Sequence, residues 1–206
     1  MADRLRPLWD FDDLDSTERR LSDFLEGEES DAGRAEVLTQ LARVEGLREE
    51  FDASERLLQQ AEALAGSSDL ANVRIDLERG RKVRSSGDPA AALPLFESAF
   101  ARASESGEDF LAGDALHMCA ISVDSIDATE IWTQRGLDFC TQRPDAAYWA
   151  GPLLNNLGWA YYDAGDYRQA LELFERALEV RLRDPENEAA IAFAREAIEA
   201  ARQALA

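Results

Sequence analysis

The stretch LNNLGWAYYDAGDYRQALELFERALEVRLRDP, residues 154–185, carries the clearest statement of how the whole chain folds. Ala170, Phe174 and Ala177 stand four and three residues apart, which puts them on one stripe of an α-helix. Leu157, Gly158 and Tyr161 make the same kind of stripe on a preceding helix. Between them Gly165-Asp166 interrupts the pattern with a turn signal. Small residues sit where two helix backbones cross closely, and the large residue fills the groove beside them. The stretch therefore reads as two helices packed antiparallel across a tight turn.

Laying the chain on itself shows the same frame three more times. The anchors are Ser54–Leu58–Ala61, Ala92–Phe96–Ala99 and Ala128–Trp132–Arg135, with Ala170–Phe174–Ala177 as the fourth. They advance by 38, 36 and 42 residues, the length of a helix pair with its turns. Twelve residues before each anchor stand Ala42, Gly80, Leu116 and Gly158. Gly87-Asp88 precedes Pro89, a proline placed at a helix start where its missing N–H costs nothing. A period in this range signals stacked helical units, none of which buries its apolar face alone.

The ends read as covers for such a stack. Asp15 with Glu18 forms a capping box for a helix near 16–26, whose stripe is Leu21, Phe24 and Leu25. An acidic tract, Glu26–Asp31, leads into the first pair. From about residue 187 an alanine-rich helix covers the last repeat.

On these residues the stretch 154–185 resembles a tetratricopeptide repeat (TPR). Leu154 replaces the usual opening tryptophan, and the closing proline comes late, at Pro185. The earlier repeats resemble the motif more loosely: Glu45 and Arg79 depart from its apolar positions, and in the third Ala115 fits the crossing better than Leu116. The chain also resembles a loose group of bacterial TPR proteins carrying strings like LWDFDD, DALHM and NNLGW in this order, a likeness that supplies no activity. The resemblance implies an all-α fold, a right-handed α-solenoid of antiparallel helix pairs. One domain, 1–206, is expected, with a capping segment at 1–32, repeats at 33–66, 69–104, 109–142 and 148–183, and a capping helix at 187–206. Ten helices and no sheet are expected.

Composition narrows the partners. The net charge is -20 and the sequence pI near 4.4, the wrong sign for neutralising phosphates, so nucleic acid is not an expected partner. An anionic membrane surface is disfavoured for the same reason, and no apolar run reaches spanning length. MADRLRPLWDFDD lacks the layout of a secretory signal, so a cytoplasmic location is expected. Lys82 is the only lysine among the 22 basic residues, a bias of codon usage rather than chemistry. Cys119 and Cys140 fit neither a disulfide framework nor a zinc set and read as small buried hydrophobes. The carboxylates of DFDDLD (10–15) lack the glycine turn of a calcium loop and read as solvated acidity. No metal site and no cofactor are expected, and no nucleotide-loop, nucleophile-elbow or zinc-protease motif is present.

The TPR resemblance implies that the first helix of each pair lines a concave groove where ligands lie as extended peptides. That face comprises Gln40, Arg43, Arg74, Glu78, Arg81, Asp114 and His117, then Asn155, Asn156, Trp159 and Tyr162. Asn156 occupies the place from which an asparagine grips a peptide backbone in this family; its amide both donates and accepts. The bland alternative is an asparagine on a helix surface. His117, the only histidine, has Asp114 one turn before it, a pair that suits acid–base or ligand work but lacks a nucleophile. A structural role is the alternative. Arg74 and Arg81 lie two turns apart and suit a carboxylate ligand, such as an acidic peptide or chain terminus. Internal balance against acidic helices is the alternative there. Trp159 offers an apolar anchor in the groove, whereas Trp132 reads as core.

The leading expectation is a non-catalytic scaffold that binds a protein or peptide segment, with Asn155, Asn156, Trp159, Asp114, His117, Arg74 and Arg81 as its binding residues. The second is a ligand- or peptide-responsive sensor, and the third is an enzyme using Asp114 and His117. Self-association through the terminal helix is left open.

Overall fold

Residues 3–185 and 187–206 are described by a computed structural model of the chain. Among them are ten α-helices and no strand. They are α1 (Leu14–Glu26), α2 (Asp31–Leu47), α3 (Phe51–Ala65), α4 (Asp69–Ser85), α5 (Pro89–Ser106), α6 (Asp109–Ala120), α7 (Ile126–Gln142), α8 (Ala150–Asp163), α9 (Tyr167–Arg181) and α10 (Glu188–Leu205). Two 3₁₀ segments, Arg6–Leu8 and Pro144–Trp149, complete the order. Consecutive helices pack in pairs, α2 on α3, α4 on α5, α6 on α7 and α8 on α9, with α1 and α10 covering the ends. The inner helices α2 and α4 also lie against each other. The result is an α-solenoid.

Local signals set the helix starts. Ser30, Ser68, Asp88, Ser125, Asp166 and Asn187 each accept a hydrogen bond from the backbone N–H three residues on, satisfying a donor with no intrahelical partner. At the turn of the last pair Gly165 takes φ 83°, a conformation open to glycine at little cost. The start of α1 differs from the expected one. Asp13, not Asp15, caps it, accepting from Ser16 N at 2.9 Å. Asp15 and Glu18 turn outward to Arg48, at 2.5 and 2.7 Å. A long-range cation draws both members of the expected capping box away from the helix end.

The crossings obey the small–large pattern. A Cβ built on Gly80 would lie 2.5 Å from the Phe96 ring, and one on Gly158 would lie 2.5 Å from Phe174. Both rings are wholly buried. In the third repeat Ala115 and Leu116 are both buried, but the tight approach comes earlier on the helix: Gly113 meets Trp149. The ring at this approach belongs to the 3₁₀ segment Pro144–Trp149, which packs on α6. Trp132 is only partly buried and carries the Arg135 guanidinium 4.9 Å from its ring. The terminal helix seats Ile191, Ala194, Ala197, Ile198 and Ala201 inward and leaves Phe193 exposed.

The outer helices are ordinary amphipathic ones, but the inner ones are not. Glu36, Gln40, Arg74, Glu78 and Asp114 are all buried on α2, α4 and α6. These helices therefore have apolar neighbours on one side and something covering a polar face on the other.

Adding one methyl group at a glycine crossing tests the packing. Gly158→Ala should cost about 1–3 kcal/mol in urea unfolding, because the Phe174 ring has no room to withdraw. Gly158→Ala combined with Phe174→Leu should recover part of that loss.

Candidate functional site

The buried polar groups of the inner helices pair across repeats. Arg74 donates to both oxygens of Asp3, at 2.6 and 3.3 Å, and lies 3.4 Å from Glu36. Arg81 sits between Glu78 and Asp114, donating to one oxygen of each at 2.5 Å. Burial opposes the charge on Arg81, but Asp114 and Glu78 outweigh it and raise the guanidinium pKa. Arg43 is less well matched. Its nearest carboxylate oxygen, on Glu78, is 3.9 Å away, and burial together with the charge of Arg81 lowers its pKa.

The cover over this face is the chain's own N-terminal segment. Asp3 reaches Arg74, and Trp9 Nε1 donates to Gln40 at 3.0 Å. Arg6 places its guanidinium 4.1 Å from the Tyr148 ring centroid and 5.2 Å from that of Phe110. Arg43 in turn lies 5.1 and 5.4 Å from the rings of Trp9 and Phe11, which stack on each other. Leu5, fully buried beside Leu21 and Val37, pins the segment into the first core cluster. Residues 3–11 thus bridge α2, α4, α6 and the Pro144–Trp149 segment. Solvated acidity was the expectation for part of this stretch. The overlooked signal is the interleaving of Trp9 and Phe11 with the aspartates.

Between the segment and the inner helices lies a cavity of about 280 Å³. Gln40, Arg43, Arg74, Glu78, Arg81, Asp114 and His117 line its helical side, and Trp9, Phe110, Tyr148 and Trp149 are among its aromatic walls. Six buried polar atoms of these lining residues have no hydrogen-bond partner among the described residues: Arg43 Nε, Arg74 Nε, Glu78 Oε2, Asp114 Oδ1, His117 Nδ1 and Trp149 Nε1. Glu78 and Asp114 are 3% and 4% exposed, so water reaches them poorly. Buried groups of this kind are normally satisfied, and six left unmet on residues around one cavity mark it as the candidate site.

The family comparison meets this geometry at the other end of the array. Residues 152–181 match the model of the tetratricopeptide repeat family. That stretch carries a tetratricopeptide repeat (TPR). Among solved structures it is similar to a signal transduction ATPase with numerous domains (STAND) protein with a tetratricopeptide repeat sensor, from Pyrococcus horikoshii. The TM-score is 0.68 at 15% sequence identity, over 91% of this chain and 30% of that one. At that identity the likeness is one of fold, and this chain spans under a third of that protein's length. A sequence comparison with curated proteins gave no match. Among the described residues no helix is long and apolar enough to cross a membrane.

The matched TPR repeat carries the remaining predicted residues, and they stand apart from the cavity. Asn156 Nδ2 donates to His117 Nε2 at 2.7 Å, joining α8 to α6. With the amide nitrogen as donor, the imidazole proton sits on Nδ1, which is buried without a partner among the described residues. Asn155 is buried, with its Oδ1 unpartnered. Trp159 packs on Phe174 and Tyr162, at 5.0 and 5.1 Å between centroids. Asp114 accepts its hydrogen bond from Arg81 rather than from His117. Cys119 and Cys140 are free and buried.

His117 offers a direct test. Burial pushes its pKa down to about 4; Asp114 opposes the shift, while Arg81, Arg84 and Arg43 add to it. An imidazolium would also have no lone pair for Asn156. The unfolded chain, with a histidine pKa of about 6.5, takes up the proton first. The linked stability is therefore complete above that value and is lost as pH falls through about 4. Proton NMR of the single histidine should show this depressed titration. His117→Gln should flatten the stability profile between those two pH values.

Proposed function

We propose that this protein is a non-catalytic recognition module of the sensor type, which takes a small ligand into the cavity between its concave face and residues 3–11. The observation that carries the reading is a cavity of about 280 Å³ under the N-terminal segment, on whose lining residues Arg43, Arg74, Glu78, Asp114, His117 and Trp149 six buried polar atoms have no partner. A ligand there replaces hydrogen bonds that the fold itself leaves unmade, and each is worth more in a site shielded from water.

The walls favour sensing over simple recruitment. They come from three inner helices, the 3₁₀ segment before α8, and the N-terminal segment. A molecule touching all of them favours one relative arrangement of the repeats over others, which is how a ligand shifts a conformational equilibrium. A long peptide lying along the whole groove fits less well, because Asp3, Arg6 and Trp9 already occupy its first half. The tetratricopeptide repeat sensor named in the similar archaeal structure is in keeping with the same reading.

Catalysis has little support. The carboxylate that would orient His117 is committed to Arg81. Burial raises the Cys119 and Cys140 thiols to about 12 and 11, far from a nucleophile's range. A cytoplasmic location is part of this proposal.

The test is a thermal-shift panel of small metabolites on the full chain, followed by calorimetry. Hits should lose about tenfold or more in affinity in Arg43→Ala, with circular dichroism confirming the helical fold. Small-angle scattering should differ between free and loaded protein. If the hits are extended peptides that need Asn155 and Asn156 and ignore Arg43, the recruitment reading replaces this one.

A further inference from the structure

We propose that residues 3–7 are a strap that lifts off the concave face as one piece while the repeats stay folded, and so gates the cavity beneath. The gating rests on the cavity being the ligand's place, as proposed above; the lifting does not.

The strap makes its own backbone contacts. Arg6 N donates to Asp3 O at 3.2 Å, and Leu5 N donates to the Asp3 carboxylate at 3.0 Å. Among the described residues no backbone group of 3–7 bonds to α2, α4 or α6. The polar ties to those helices are side chains: Asp3 to Arg74, and Arg4 to Glu36 and the Gly33 carbonyl. Such a turn can leave a surface without stranding N–H and C=O groups. Its base, by contrast, is fixed to α1. Arg20 donates to the Leu8 carbonyl at 2.9 Å. The buried Thr17 hydroxyl accepts from Asp10 N at 2.8 Å and donates to Asp10 O at 2.9 Å. The chain therefore bends just before Leu8, where Leu8 N and Trp9 N donate back to Leu5 O and Arg6 O.

Lifting strands no charge. Asp3 and Arg4 are neighbours of opposite sign that meet Arg74 and Glu36, themselves 3.4 Å apart. Separating a buried pair is costly when one mate is left alone. Here Arg74 and Glu36 keep each other, and Asp3 and Arg4 pass to water together. Arg4 also pairs with Glu28 at 2.7 Å, an exposed contact that water replaces at little cost. Leu5 is the strap's one wholly buried side chain. A segment held in this way opens more readily than packed helices do, and gating elements are drawn from that end of a fold.

The strap is also a wall of the cavity. Asp3 and Arg6 line it opposite Leu77 of α4, and Arg6 reaches the rings of Tyr148 and Phe110 on another side. Lifting residues 3–7 removes that part of the enclosure.

Iodoacetamide labelling of single introduced cysteines in the full chain tests both parts, with the parent chain as baseline for Cys119 and Cys140. Leu5→Cys reports the strap, Leu77→Cys the cavity, and Leu21→Cys the core cluster that Leu5 shares. All three leucines are at most 1% exposed. The thiol at position 5 should react about tenfold or more faster than the one at position 21. Adding Asp3→Ala, which leaves the inner face intact, should speed labelling at positions 5 and 77 by about tenfold and leave position 21 unchanged. Circular dichroism checks the fold of each variant. In the unsubstituted chain the Leu8 and Trp9 amides should exchange hydrogen faster than those in the middle of α4. Equal labelling at positions 5 and 21, or Leu8 and Trp9 amides as slow as those of α4, overturns the strap, which then opens only with the whole fold. Labelling at position 77 that ignores Asp3→Ala, while position 5 responds, overturns the gating and keeps the lifting. A metabolite panel without a hit overturns the cavity as ligand site, whichever way the strap labels.

Discussion

A phenyl ring pressed onto a bare stretch of backbone holds this array together. At Gly80 and Gly158 the rings of Phe96 and Phe174 occupy the very space a Cβ would take. Where the side chain is missing, two helices come close enough for dispersion contacts along the whole crossing, and each such contact is small but numerous. Gly136 against Leu153 repeats the device between α7 and α8. The spacing of the inner helices, and with it the concave face, depends on these approaches.

In the third repeat the ring comes from elsewhere, and the packing changes with it. Gly113 is met by Trp149, which stands outside the α6–α7 pair. The Pro144–Trp149 turn therefore sits on α6 and brings Tyr148 and Trp149 to the cavity as a wall. The first core cluster draws Leu5 inward at the opposite side, and Trp9 and Phe11 come with it. Two packing events far apart in sequence enclose the same space. Neither concerns the polar groups inside it.

Those polar groups are poorly explained by stability. Buried ion pairs lose in desolvation much of what they gain in attraction, and apolar side chains of similar volume often serve a fold as well. Arg74, Arg81, Glu78 and Asp114 nevertheless occupy the face between the inner helices. The pairs neutralise one another while leaving single oxygens and N–H groups without partners on residues around a cavity. Such an arrangement is awkward for a core and useful for recognition. It also explains why a strongly acidic chain presents arginines inside its groove: the local pairing, not the net charge, sets the chemistry there.

The helices and their pairing were legible in the sequence because they rest on contacts within one or two turns and on residues that cap or break them. The recurrence of Ala170, Phe174 and Ala177 and the glycine-aspartate turns state a local rule that holds wherever those residues stand. Most of the cavity-facing residues of the inner helices were named through the resemblance to the repeat, which assigns the first helix of each pair to the inner face. Their partners were not. Asp3 and Arg74 are 71 residues apart, Trp9 and Gln40 are 31 apart, and Asn156 and His117 are 39 apart. Asp15 and Glu18 likewise read as a local capping box until Arg48 drew them away. A stack of helix pairs was written in the order of residues alone, because periodicity is a local property. That residues 3–11 close the face into a pocket emerged only on folding, because closure is a choice among distant partners that no spacing records.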